Sequence, residues 1–511
     1  MMHQVFELPW NIKSNEVLAN LARRFATNPP TRQRDRLTFL DTFDWRLYQR
    51  GLTLVRTGES HQLRSIDDAN VIESATGGDD PRFWWDFPAG GLRERLRRIL
   101  KERAVIVVGD LALRSRRLGI LNADDKTVAR VAVQVGEAYC DGRSAARIRT
   151  LAVNPLKGYT KESKKVTRYL MDTGLRLARR NAFDAAVAAC GREPGDYSSK
   201  LDLHLEASMT GRQATGVIFG HLVDTMQRNV DGIRKDIDTE FLHDFRVAIR
   251  RTRSGLSQLK IALPDVVAAE FSKRFAELGR STNRLRDLDV YLLSRDQYYG
   301  MLSDDLKHGL DPLFDRLEKE RKTHHESLVR TVEASSYREL VGEWRQVLRT
   351  FTDPDTTDEF AVVPVGQLAR KVIRKRHNRV IRNGSRIGDD TPDSSLHSLR
   401  IDCKKLRYML EFFASLYPPK IVGGFVKQLK RLQDNLGEFN DLSVQQSELR
   451  SFLQTAGADA SVATAAAIGA LVAKLEHRQQ VVRLQFAAAF DSFAGPQNQK
   501  RFDKMFVVHK S

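Results

Sequence analysis

The sequence predicts an α+β N-terminal domain of antiparallel strands and helices, followed by an all-α region of two pseudo-symmetric four-helix bundles. Three observations point there. Residues 126–139, KTVARVAVQVGEAY, alternate β-branched with other side chains at period two, as a half-buried strand does. After about residue 205 the strand patterns vanish and long amphipathic helical patterns replace them. Finally, HDFRVAIRRTR, beginning at His243, and HSLRIDCKKLR, beginning at His397, carry one cationic spacing twice, 154 residues apart.

The N-terminal elements follow in order. Residues 36–56 hold a strand-like start, a Thr-Phe-Asp break and a second strand-like run after Gly51. Helical patterns lie at 15–25, 91–102 and 164–181. The stretch GREPGDYSSK (191–200) supplies Gly, Pro and Ser, and places a domain boundary between a first domain, 1–195, and a second, 205–500. In the second domain four helices are expected at roughly 211–236, 240–262, 267–298 and 303–332, with a further piece at 336–351. TDPDTTDEFAVVP makes residues 352–364 an acidic linker between halves of about 205–352 and 364–500. Four more helices are expected at roughly 366–385, 394–416, 421–453 and 459–492, the last an Ala-rich packing helix whose small side chains permit close approach.

The 511-residue length exceeds a typical single domain, and 41% hydrophobic residues allow real cores. No apolar run approaches a membrane span, and MMHQVFELPW has no basic segment leading into an apolar core, so no secretory signal is expected. Cys140, Cys190 and Cys403 are scattered, odd in number and without metal-ligand spacing. That predicts a reducing cytoplasm, no disulfide scaffold, no metal site and no cofactor. Lys plus Arg exceeds Asp plus Glu by 83 − 65 = 18, which makes a polyanion the expected partner class. Residues 201–350 carry 24 basic and 24 acidic side chains, so in that segment the placement of cations matters and not their sum.

That placement is specific. His243, Arg246, Arg250, Arg251 and Arg253 correspond by position to His397, Arg400, Lys404, Lys405 and Arg407. The offset continues without gaps through Phe271/Phe425, Lys273/Lys427, Leu278/Leu432, Asp287/Asp441 and Val290/Val444, as expected of a duplicated four-helix unit. On an α-helix His243, Arg246, Arg250 and Arg253 fall within an arc of about 80°, opposite Phe245, Ile249, Thr252 and Leu256. Like charges at that spacing repel by a few tenths of a kcal/mol per pair, and few acids interrupt the arc. A chain that keeps such a ridge twice has an anion to neutralise it. Arg offers phosphate a planar fork, Lys a point charge, and a His beside phosphates gains proton affinity. Asp287 and Asp441 are read as orienting an Arg or Lys by hydrogen bonding, and His324–His325 as surface residues.

At these residues the sequence resembles the CHAD domain, the conserved histidine α-helical domain. The resemblance is carried by LHDFRVAIRRTRSGL (242–256), LHSLRIDCKKLRYMLEFF (396–413), LGRSTNRLRDLDV (278–290) and LQDNLGEFNDLSV (432–444), and covers roughly 205–500. It implies two four-helix bundles with a basic groove at their junction, and binding of inorganic polyphosphate without a known reaction. It implies His243, Arg246, Arg250, Arg251, Arg253, His397, Arg400, Lys404, Lys405 and Arg407 as ligand-binding residues. Lys273, Lys427, Lys430 and Arg431 on the following helices come second. The location it suggests is the cytoplasm, on polyphosphate granules.

CHAD domains often follow a CYTH domain, a triphosphate tunnel fold that hydrolyses triphosphate-type substrates. FLDTFDWRLYQRGLTLVR (39–56) and, more weakly, YTKESKKVTRYL (159–170) resemble that family. Its E-x-E-x-K signature is absent: the opening strand offers Glu7 alone, and VAVQVGE has Gln134 and Gly136 where alternating acids are expected. Hydrolysis in such a tunnel relies on carboxylate-held divalent metal. The N-terminal half therefore reads as a degenerate, CYTH-like, non-catalytic domain, with Arg56, Arg130, Lys161 and Lys164 as anion-binding candidates. The alternatives are a divergent metal-dependent triphosphatase or polyphosphatase that uses the helical region for substrate capture, and a nucleic-acid binder. For the latter, Tyr408 and Tyr291 are too separated to form a stacking platform.

Overall fold

The computed structural model describes residues 4–67, 69–156, 158–178, 180–352, 363–388, 390–457 and 460–506. The expected acidic linker falls outside them, apart from its first and last two residues. The chain divides into two compact units, residues 1–199 and 200–511.

The first unit is one antiparallel eight-stranded sheet with helices. Its strands are β1 (Gln4–Glu7), β2 (Thr31–Thr42), β3 (Leu52–Thr57), β4 (Ser60–Ser65), β5 (Val71–Thr76), β6 (Val105–Leu121), β7 (Thr127–Cys140) and β8 (Arg143–Pro155), in spatial order β1-β8-β7-β6-β2-β3-β4-β5. The alternation along β7 sorts its two faces. Val131 and Val133, with Leu151 and Val153 of β8, are buried in one core with Val17, Leu18 and Leu21 of α1 (Ser14–Arg24) and Val166 and Leu170 of α3 (Thr160–Asp172). On the other face, Arg130 and Gln134 stand in register with Asn154 and Thr150 and line a cavity of about 620 Å³. A second core packs α2 (Gly91–Leu100) on β3 and β4, and a third packs α4 (Ala182–Ala189) on β2 and β6.

The Asp-Thr turn is structural. The buried Asp41 carboxylate accepts backbone N–H bonds from Thr42, Leu47 and Tyr48. Burial pushes its pKa up to about 7 against those bonds. Two expectations for this unit are corrected. The helix expected at 164–181 stops at Asp172, with Gly174 at φ +88° just beyond it, and the next helix, α4, starts only after Asn181, which opens it with a capping box to Asp184. The cysteines are not all apart: Cys140, ending β7, and Cys190, at the end of α4, form a disulfide with Cα atoms 5.1 Å apart.

The second unit is helical. Its first half holds α5 (Gly211–Arg234), α6 (Thr239–Gln258), α7 (Asp265–Ser281), α8 (Asn283–Leu293), α9 (Arg295–Met301), α10 (Asp304–Lys307), α11 (Asp311–Glu333) and α12 (Ser335–Thr352). The second holds α13 (Val365–Gly384), α14 (Asp393–Phe412), α15 (Pro419–Ala456), α16 (Val462–Leu484), α17 (Phe486–Ala494) and α18 (Pro496–Phe506). In each half the first helix packs on the second and the second on the third, and across the junction α5 meets α13 and α6 meets α14. Matching helices thus meet each other, the arrangement a pseudo-two-fold axis generates.

The single helices expected at 267–298, 303–332 and 459–492 are each interrupted. The first breaks at Thr282, whose hydroxyl bonds back to the Gly279 carbonyl. Pro312 sits in the opening turn of α11 and starts a new helix there. The Ala-rich α16 is a close-packing helix: Gly309 lies against the Ala463 carbonyl and Ala467. His325 is not a plain surface residue, since its Nε2 is 2.7 Å from the Ile233 carbonyl oxygen.

Candidate polyanion-binding cleft

Within the helical unit α6 and α9 of the first half face α14, α15 and α16 of the second across a cleft of about 720 Å³. Its lining includes His243 and Arg250 from α6, Arg400, Lys404 and Arg407 from α14, and Arg478 from α16. Helical periodicity puts Arg400, Lys404 and Arg407 on one face of α14, while Leu399, Cys403, Leu406 and Leu410 enter the core. Both cationic ridges therefore contribute to one cavity.

The acids in the cleft hold some cations and leave others. Asp441 accepts from Arg400 at 3.1 Å, as expected of an orienting carboxylate, and Glu438 holds Arg478 at 2.6 Å. Glu411 takes one guanidinium from each half, Arg251 at 2.8 Å and Arg407 at 2.8 Å, and Arg407 also donates to Gln433. Among the described residues no carboxylate lies in ion-pair range of Arg250 or Lys404. The Lys404 pKa is pulled down to about 7, first by burial, then by the charges of Arg400 and Arg250, with Arg407 adding to them against Asp441. Arg246, beside this cluster, is brought down to about 10, by burial and then by Arg250. Its guanidinium donates to Thr282 and Asn283, while Asp287 acts on it only through charge.

The ten ridge residues do not all face the cleft. His397 stands exposed near the start of α14 with its Nδ1 against the Asn440 amide oxygen. Arg251 is buried in the junction and lies over the Tyr408 ring. Arg253 is exposed on the side of α6 that meets α7 near Gly279. Lys405 points around α14 toward Arg376 and Arg379 of α13. Lys273, Lys427, Lys430 and Arg431 are exposed on α7 and α15, outside the cleft lining. Sequence reasoning missed Arg478, on a helix read only as packing, and Gln433, whose signal was its place among the resemblance-bearing residues 432–444.

In the sheet unit, Arg130 lines the cavity and so does Arg64, which carried no sequence signal because SHQLRS is too polar to read as a strand. Arg56 pairs with Asp80 instead, and Lys161 and Lys164 are exposed on α3 outside that cavity. Among the described residues no three His, Cys, Asp or Glu side chains gather as a metal site, and no helix is long and apolar enough to cross a membrane.

A helical unit of two facing halves with cations converging between them defines a class, and the comparisons agree with it. The CHAD domain family matches residues 217–450, and the chain carries a CHAD domain there. The crystal structure of the CHAD domain from the plant Ricinus communis is 24% identical, covers 58% of this chain and 96% of its own, and superposes with a TM-score of 0.50, a likeness of fold. PptA from Streptomyces chartreusis is 16% identical, covering 56% of this chain and 100% of its own at a TM-score of 0.44. No curated protein shows significant similarity.

Proposed function

We propose that this protein binds inorganic polyphosphate without transforming it, gripping the chain in the cleft between the two halves of its CHAD domain. The observation that carries this reading is Lys404. A half-buried ammonium among Arg250, Arg400 and Arg407 is a costly arrangement in the empty protein, and a polyanion entering the cleft removes that cost. Arg250 and Lys404, from opposite halves, both line the cleft with no carboxylate in ion-pair range among the described residues, so a linear anion would complete both at once. The sheet unit is read as a degenerate CYTH-like domain. Its cavity is lined by Arg64, Arg130, Gln134, Thr150 and Asn154 together with apolar side chains, a set suited to holding an anion and not to ligating a divalent metal.

The test is calorimetry with long-chain polyphosphate, with Mg²⁺ present or absent and single-stranded RNA as competitor. The comparison is wild type against a variant combining Arg246→Ala, Arg250→Ala, Arg400→Ala and Lys404→Ala. Each charge-assisted bond is worth about 1.5–3 kcal/mol, so the variant should bind at least about 100-fold more weakly. Unchanged binding in the variant would sink the two-ridge grip. Mg²⁺-dependent phosphate release would return the sheet unit to the triphosphatases, and displacement by RNA would make the protein a nucleic-acid binder.

A further inference from the structure

Lys405 is the one cation of the α14 motif that turns away from the cleft toward α13, and α13 has an unusual composition. Residues 363–388 hold eight basic side chains (Arg370, Lys371, Arg374, Lys375, Arg376, Arg379, Arg382 and Arg386) and no acid. The corresponding stretch of the first half, 209–234, holds three basic and two acidic residues. Residues 351–511 as a whole exceed neutrality by 24 − 17 = 7 charges, so this one segment accounts for all of their excess.

The charges are also arranged. Lys371, Lys375, Arg379 and Arg382 fall within an arc of about 80° along α13 and are exposed, while Ala369, Ile373, His377 and Val380 are buried on the other side. The four span about 16 Å of helix at 1.5 Å per residue. Asp402 of α14 takes up Arg379 at 3.0 Å and stands 3.9 Å from Arg376. Among the described residues no carboxylate pairs with Lys371, Lys375 or Arg382. A solvated helix face normally intersperses acids, because like charges at i, i+4 cost stability. Three of the four equivalents in the first half are Val217, His221 and Thr225, and only Arg228 is a cation, so duplication of the bundle does not account for the ridge.

We propose that the α13 ridge is a second, outer track for the same phosphate chain, on the opposite side of α14 from the cleft, with Lys405 at its edge. This rests on the reading of the cleft as a polyphosphate site and extends it. Short chains occupy the cleft alone, while long chains also lie along α13, so the protein discriminates by length. Because the track reads only backbone charge, its contribution is steeply salt-dependent.

The experiment titrates tripolyphosphate and long-chain polyphosphate into wild type and a variant combining Lys371→Gln, Lys375→Gln and Arg382→Gln, at several salt concentrations. Gln keeps helix propensity and the sites are exposed, and circular dichroism checks that the variant folds. Expected is an approximately tenfold or greater loss of long-chain affinity, a salt slope shallower by about two to three, and unchanged tripolyphosphate affinity. Equal loss for both ligands would overturn the separate track, and so would unaltered long-chain affinity and slope in the variant. Failure of wild type to bind either ligand would remove the cleft reading and this one together. Binding of single-stranded RNA that the triple substitution abolishes, with long-chain polyphosphate unaffected, would reassign the ridge to nucleic acid.

Discussion

Lys404 shares its surroundings with three guanidinium groups, two from its own helix and one from the other half of the helical unit. In the unfolded chain a lysine titrates near 10.4, whereas in the folded protein this one is held down to about 7. Between those values the unfolded state binds more protons than the folded one, so this group's contribution to stability rises with pH from about 7 to about 10. Below pH 7 both states are charged and the full penalty of the buried charge applies. Lys404→Met should therefore stabilise the empty protein by about 1 kcal/mol near neutral pH, measured by urea unfolding, while weakening polyphosphate binding. A bound polyanion reverses the shift, so binding above pH 7 should take up protons and affinity should fall as pH rises. Calorimetry in buffers of different ionisation enthalpy reads that uptake directly. Uptake that persists undiminished in Lys404→Met would show that another group is responsible.

At the scale of the element, spacing on one helix was readable and the partners of each face were not. The ridge residues lie within a narrow arc because the helix repeat is fixed, and that much follows from sequence. Lys404 and Lys405, however, are about 100° apart on α14, and only tertiary packing decides that one faces the cleft and the other α13. Likewise Arg251 looks like part of the ridge, yet the α6–α14 contact buries it against Glu411. The break at Thr282 depends on a hydroxyl that both bonds backward and receives Arg246, in a helix whose second copy, α15, has Leu436 there and runs unbroken. Small residues mark the closest approaches, but composition does not name the element that approaches. Gly309 illustrates the cost: a Cβ there would collide with the Ala463 carbonyl and come within 2.7 Å of the Ala467 side chain. Since a backbone atom cannot swing aside, Gly309→Ala should destabilise the helical unit by about 2 kcal/mol in denaturant melts. Gly300→Ala, in α9 with open space around it, should be neutral or stabilising by up to about 1 kcal/mol. Equal effects at the two positions would contradict the close junction between this turn and α16.

For the whole molecule, the two compact units divide the chemistry. The net excess does not single out a unit, since residues 1–200 hold 35 − 24 = 11 of the 18 excess charges; the polyanion reading of the helical unit rests on the matching ridges that meet there. The sheet unit owes its stability to three apolar cores and to a covalent tie that cysteine spacing alone could not disclose, since Cys140 and Cys190 stand 50 residues apart. The tie closes the segment from the end of β7 through β8 and α3 to the end of α4. Closing a loop of that length restricts the unfolded chain by about 4 kcal/mol in the chain-entropy account. Cys403 is buried in the helical unit, and burial pushes its thiol up, so it stays protonated and apart from exchange. Reduction should therefore act on one unit only. With dithiothreitol, or in a Cys140→Ala/Cys190→Ala variant, the β-sheet signal should unfold at distinctly lower denaturant while the helical transition stays in place. Polyphosphate affinity, measured under native conditions, should be the same with and without reductant. A reductant-sensitive affinity would mean that the helical cleft depends on the state of the sheet unit, and the division of roles between the units would have to be abandoned.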